Sequence, residues 1–157
     1  MVKEDIKLVA YDFDGVMTDN RVLVAQDGKE SVVCNRGDGL GISMIKGIPI
    51  LQIILSTETN KVVQQRAKKL GISAIHGSSN KKKSLSSYCL EKKINLSEVL
   101  YVGNDLNDLE VMQEVGCPVC PADAHEKIRR LSNHVTKARG GEGVIRELAE
   151  WLMNKGV

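Results

Sequence analysis

Aromatic side chains are scarce in this chain, with one phenylalanine, three tyrosines and one tryptophan among 157 residues. So few rings leave no stacking platform for single-stranded nucleic acid. A charge excess is missing too. The 22 lysines and arginines face 20 aspartates and glutamates, and a net +2 is too small to imply a polyanionic partner. Long apolar runs are also absent. The longest, Ile48 to Leu55, is short and interrupted by Gln52, so neither a transmembrane span nor a secretory leader is expected. The expected location is the cytoplasm, with no nucleic-acid or membrane partner. Four cysteines (Cys34, Cys89, Cys117 and Cys120) are too scattered for a disulfide framework. Cys117 and Cys120 form a CxxC, which with His125 and His134 could make a zinc site. No second CxxC accompanies it, so buried thiols are the simpler reading.

What is present is a regular alternation of strand and helix patterns. Apolar runs at Ile6–Tyr11, Ile48–Leu55, Ile72–His76 and Val99–Val102 read as buried strands, with shorter ones near Pro118–Cys120 and His134–Thr136. Helical patterns lie between them: from Gly37 to near Lys46, Asn60–Leu70, Lys81–Lys92, Asn107–Val115, Ala124–Leu131 and Gly143–Asn154. Val22-Leu23-Val24 and Ser31-Val32-Val33 flank Gln26-Asp27-Gly28-Lys29, a hairpin signal. Such alternation predicts an α/β fold, a three-layer sandwich around a mostly parallel sheet, as one domain over 1–157.

In a parallel sheet the carboxyl ends of the strands share one edge, where open α/β sheets bind their ligands. That edge collects Asp12 and Asp14, then Ser56, the lysines beginning at Lys81, and Asn104, Asp105 and Asp108. Two buried like charges demand a cation or a shared proton. An oxygen-rich set of this kind suits Mg²⁺, which takes one or two carboxylates, a substrate phosphate and waters. A lysine and a hydroxyl would hold the remaining phosphate oxygens, and a carboxylate could attack phosphorus to form an aspartyl-phosphate.

Asp12-x-Asp14-Gly-Val-x-Thr, Ser56, Lys81 and Gly103-Asn-Asp-Leu-Asn-Asp108 together resemble the four ordered motifs of the haloacid dehalogenase (HAD) superfamily of phosphatases. The resemblance implies Asp12 as nucleophile and Asp14 as general acid–base, with the Asp14 carbonyl also on Mg²⁺. It implies phosphate binding by Ser56 and Lys81, with Lys82 and Lys83 as near alternatives. Asn104 would complete a metal site in which Asp105 and Asp108 also take part. No cap domain interrupts the motifs; only the short hairpin stands in its place. With Asn35-Arg36-Gly37-Asp38-Gly39-Leu40-Gly41 and the late Arg139–Glu147 segment, this resembles the capless 3-deoxy-2-ulosonic acid phosphate phosphatases. Members of that family act on 3-deoxy-D-manno-octulosonate (KDO) 8-phosphate or on nine-carbon relatives such as 2-keto-3-deoxynononate (KDN) 9-phosphate. The resemblance also implies a homotetramer in which a neighbouring subunit closes each site.

Two positions refine that expectation. Glu58 follows the motif II hydroxyl where the KDO enzymes carry a Gly-Arg pair. With Arg66 and Lys69 on the next helix it resembles the substrate-binding set of the nine-carbon enzymes, so KDN 9-phosphate is the expected substrate. Asn104 stands where active relatives usually have Asp, which removes one negative charge from the metal site. The alternatives are a KDO 8-phosphate phosphatase or a catalytically weakened oligomerisation domain, like the carboxyl-terminal domain of CMP-sialic acid synthetase. The Arg139–Gly143 segment is either a reach into a neighbour's site or a loop before the last helix.

Overall fold

The first apolar run becomes strand β1 (Leu8–Tyr11), buried along its whole length. A small ribbon of β2 (Leu23–Val24) and β3 (Glu30–Ser31) follows. Then come α1 (Arg36–Lys46), β4 (Leu51–Leu55), α2 (Val62–Leu70), β5 (Ser73–Ile75), α3 (Lys81–Lys92) and β6 (Val99–Val102). The chain continues through α4 (Leu109–Glu114), β7 (Cys117–Cys120), α5 (Glu126–Leu131), β8 (His134–Val135) and α6 (Val144–Met153). These elements belong to a computed structural model that describes residues 5–154. Six strands form one sheet in the order β5-β4-β1-β6-β7-β8, and each neighbouring pair is parallel.

Strands covered on both faces show no polar alternation, which is why β1 reads as a continuous apolar run. Its side chains alternate between two cores. Val9 and Tyr11 pack with residues of α1, α2 and α6, and Leu8 and Ala10 with residues of α3, α4 and α5. This is the expected three-layer α/β arrangement. Its register places Tyr11 opposite Ile54 and Val102, so Asp12, Ser56 and Asn104 emerge together at one sheet edge.

Three local features differ from the sequence reading. Strand β4 starts at Leu51 instead of Ile48, because Pro49 has no N–H for a ladder and the Ile50 N–H turns back to the Ile48 carbonyl. The hairpin strands are only two residues each, and the chain is exposed from Asn20 to Ser31. The helix expected from Asn107 begins as a 3-10 turn over Leu106–Asp108. There the Asp105 and Asp108 side chains reciprocally satisfy each other's backbone N–H groups.

Helices α1 and α6 meet at a buried acid. Asp38 Oδ1 accepts from the Ile145 and Arg146 N–H groups at 3.0 and 3.3 Å, while Oδ2 has no partner among the described residues. Burial pushes this carboxyl up to about 6, although both hydrogen bonds oppose the rise.

Candidate active site

The floor of the site is a buried charge cluster. Lys81, at the start of α3, extends its ammonium to 2.7 Å from both Asp12 Oδ1 and Asp108 Oδ1. The Phe13 N–H donates to Asp12 Oδ1 at 2.7 Å, and the Tyr101 hydroxyl donates to Asp108 Oδ1 at 2.8 Å. Asp108 Oδ2 accepts from the Asn104 N–H at 2.9 Å. Lys82 instead pairs with Glu114, and Lys83 is exposed, so of the three lysines it is Lys81 that enters the site. Two carboxylates and one ammonium leave this cluster one negative charge in excess. Burial and Asp108 accordingly push the Asp12 carboxyl up to about 8, against the pull of Lys81. Burial works against the Lys81 charge, but Asp12 and Asp108 overcome it and hold its pKa above the ordinary value.

A cation would correct that imbalance, and an oxygen set faces the right place. The end of the Asn104 carboxamide lies 3.1 Å from Asp12 Oδ2 and 3.0 Å from the Asp14 carbonyl, and one of its two orientations puts Oδ1 there. Neighbouring ligands of octahedral Mg²⁺ stand about 2.9 Å apart, so the three oxygens have the separation of a metal's shared shell. Turned over, the same amide would donate to both oxygens and satisfy the site without a cation. The residues present therefore fit Mg²⁺, with a single carboxylate in the set. No group of three or more His, Cys, Asp or Glu side chains suited to a metal occurs among the described residues, CxxC included. Gly15 makes this approach feasible. It adopts φ +81, and a β-carbon there would fall 1.9 Å from the Asn104 amide.

Asp14 stands beside this set, half-buried. Its Oδ1 accepts from Thr18 Oγ1 at 3.0 Å, and the same hydroxyl receives the Gly15 and Asn20 N–H groups, each at 3.2 Å. Burial raises the Asp14 carboxyl above the usual carboxylate range, opposed by the Thr18 hydrogen bond and reinforced by Glu58.

Asp12, Asp14, Ser56 and Asn104 line a cleft of about 360 Å³ at the sheet edge. Thr57, Asn20, Asp105, Leu106 and Asn107 complete its wall. Asp105 is exposed and spends Oδ1 on the Leu106 N–H, while Asp108 is fully buried, off the cleft, with its oxygens taken by the donors above. Neither side chain joins the three-oxygen set. Glu58 borders an adjoining cleft with Asp14. Arg66 and Lys69 line neither: the Arg66 guanidinium donates to the Asn35 carbonyl at 2.8 Å, and Lys69 is exposed on α2.

The late glycine segment belongs to this chain's own site. A β-carbon on Gly140 would lie 2.2 Å from the Gly15 carbonyl oxygen, and the Gly141 N–H donates to the Val16 carbonyl at 3.0 Å. The segment backs the Asp14–Val16 loop from behind, and the Gly140 N–H is itself held by Asp123. Sequence reasoning missed the roles of Tyr101, Thr18 and Asn20. Tyr101 left a signal, a phenol inside the otherwise aliphatic Val99–Val102 run, which needs a buried partner for its hydroxyl.

Comparison with known proteins agrees with this geometry. The profile of the haloacid dehalogenase-like hydrolases matches residues 47–148. The 3-deoxy-D-manno-octulosonate 8-phosphate phosphatase of Escherichia coli K12 is 35% identical over 151 residues, covering 96% of this chain and 80% of the relative. A HAD family hydrolase from Streptomyces avermitilis superposes with a TM-score of 0.95 at 46% identity, over 99% of this chain and 89% of the other. The octulosonate 8-phosphate phosphatase of Moraxella catarrhalis, solved with magnesium, phosphate and KDO, gives 0.93 at 32% identity, over 97% and 88%. The chain belongs to the haloacid dehalogenase-like hydrolases, in the family of the Mg²⁺-dependent 3-deoxy-D-manno-octulosonate 8-phosphate phosphatases, and is a phosphoric monoester hydrolase.

Proposed function

We propose that this enzyme hydrolyses the phosphomonoester of a 3-deoxy-2-ulosonic acid phosphate through an aspartyl-phosphate on Asp12. The observation that carries the reading is the buried Asp12–Lys81–Asp108 cluster, whose Asp12 lines the cleft beside Asp14. Asp12 attacks phosphorus, the ester P–O bond breaks, and Asp14 gives its proton to the leaving sugar oxygen. Burial raises the Asp14 carboxyl and so favours the protonated form that the acid step needs. Asp14 then takes a proton from the water that attacks the phospho-aspartate, which frees Asp12 and inorganic phosphate. Lys81 and Ser56 hold the transferring oxygens, and Lys81 balances their charge. Asp12 Oδ2, the Asp14 carbonyl and Asn104 Oδ1 would hold Mg²⁺, which supplies further charge neutralisation at the phosphoryl group.

The names of the relatives favour the eight-carbon substrate, KDO 8-phosphate. Glu58 at the border of the cleft favours a second reading, KDN 9-phosphate, because its carboxylate can accept from sugar hydroxyls. In that reading Arg66 and Lys69, which stand off their own cleft, pair with the substrate carboxylate in the cleft of a second copy. A homotetramer fits this and the hairpin, whose Val22, Leu23, Val24 and Val33 are 51–74% exposed. Four cysteines, none of them in a disulfide among the described residues, suit the reducing cytoplasm.

Phosphate release from the two sugar phosphates, measured side by side with Mg²⁺ and with EDTA, tests the proposal. Mg²⁺-dependent release favouring the eight-carbon ester supports the first reading, and preference for the nine-carbon ester supports the second. Release from neither, by folded protein that still turns over acetyl phosphate, rejects the substrate class.

A further inference from the structure

Beside the phosphate cleft lies a second, smaller cleft of about 190 Å³, between the hairpin and the loop that follows β4. Among the described residues only Asp14 and Asn20 line both. The smaller cleft is rich in acceptors, with carboxylates from Asp14, Glu30 and Glu58. Its donors are largely committed. The Asn60 amide donates to Glu30 at 3.1 Å, and the Arg21 guanidinium is paired with Asp19 at 2.6 and 2.8 Å. The Asn20 carboxamide has no partner among the described residues.

Asn20 is also held in place. Its backbone is left-handed, at φ 66, a conformation uncommon outside glycine but tolerated by asparagine. Its N–H is bonded to the Thr18 hydroxyl that also holds Asp14, so the amide is anchored relative to the acid–base group.

We propose that Asn20 is a specificity residue whose carboxamide hydrogen-bonds the hydroxyls of the leaving group on the carbons next to the phosphate ester. This rests on the sugar-phosphate reading above. In such a substrate the carboxylate is on the first carbon and the phosphate on the last, so the end nearest phosphorus is a neutral polyol. The Glu30 and Glu58 carboxylates repel a carboxylate and accept from hydroxyls, so this cleft takes the polyol end. Asn20 is the donor that lets those hydroxyls accept as well as donate.

The test compares the natural protein with Asn20→Gly, a substitution that keeps the left-handed backbone and removes only the amide. Three probes are used with Mg²⁺: KDO 8-phosphate, sorbitol 6-phosphate and acetyl phosphate, the last having no hydroxyl. Asn20→Gly is expected to lower the ratio of kcat/KM for each polyol ester to that for acetyl phosphate by about tenfold, mainly through KM. The melting temperature should not fall. An unchanged ratio, or an equal loss on all three esters, overturns the proposal. Turnover of sorbitol 6-phosphate without KDO 8-phosphate would instead reject the substrate reading, and the polyol-to-acetyl ratio would still decide the role of Asn20.

Discussion

In the floor of the cleft Asp12 and Lys81 are 4% exposed, Asp108 and Tyr101 are 0% exposed, and these side chains are locked into one hydrogen-bonded cluster. At the rim the chain is exposed from Asn20 to Ser31, and the Asn20 amide is uncommitted. The two regions share Asp14 yet answer to different physics. Among buried charges each group depends on all the others, so a single loss leaves an uncompensated charge in low dielectric. At a solvated rim a lost hydrogen bond is replaced by water and costs affinity for one substrate only. Chemistry common to many esters therefore belongs to the floor, and discrimination between esters to the rim.

The sharpest way to break the floor is Asp12→Asn, expected to reduce turnover by at least roughly a thousandfold while the fold persists. Near-normal phosphate release from that variant would remove Asp12 as nucleophile. Lys81→Met should abolish activity and also destabilise the protein by about 3–5 kcal/mol, because two carboxylates then face each other unpaired. Urea unfolding would register this, and an unchanged midpoint would mean the cluster is not charged as described. At the edge of the floor, Asn104→Asp adds a carboxylate that cannot donate to Asp12 or to the Asp14 carbonyl. The Mg²⁺ concentration for half-maximal activity should fall about tenfold, and the metal-free protein should melt lower than the parent. Unaltered Mg²⁺ titration in both readouts would show that Asn104 is not a ligand.

The smallest effect tests whether burial alone makes an acid part of the floor. Asp38 is as buried as Asp12, but it joins α1 to α6 and does not line the cleft. Its folded pKa of about 6 lies above the unfolded value, so its ionised form is disfavoured by folding. That cost is fully present above pH 6 and vanishes as pH falls toward 4. Relative to Asp38→Asn, the natural protein should gain about 1–2 kcal/mol of stability between pH 7 and pH 4.5, with turnover at pH 7 little changed. Parallel stability–pH curves for the two proteins would contradict it.

Much of this was legible before the structure. The strands β1, β4 and β6 are short apolar runs whose ends must carry the polar residues, so Asp12, Asp14, Ser56 and Asn104 could be placed on one edge from spacing alone. Asp108 could not be separated from the metal-facing oxygens in the same way. Its partners Lys81 and Tyr101 arrive from elements distant in sequence, and only their meeting removes its oxygens from the cleft. Arg66 and Lys69 illustrate a different limit: helical spacing assigns a shared side of α2 but not the cleft it serves. In Gly140 and Gly141 the missing information was the partner, since a glycine pair reads as a loose loop until a backbone is seen pressed against it.

That contact gives the molecule a particular order of assembly. Synthesis delivers Asp12 on a strand whose two neighbours, β4 and β6, have yet to emerge. Strand β1 must wait to be inserted between later arrivals, a high-contact-order route that is intrinsically slow. The loop carrying Asp14 gains its backing only when Gly140 and Gly141 leave the ribosome. A nascent chain stalled before that point would hold the Asp12 and Asp14 loop without its backing, so the site is unfinished until the Gly140–Gly141 segment has been made.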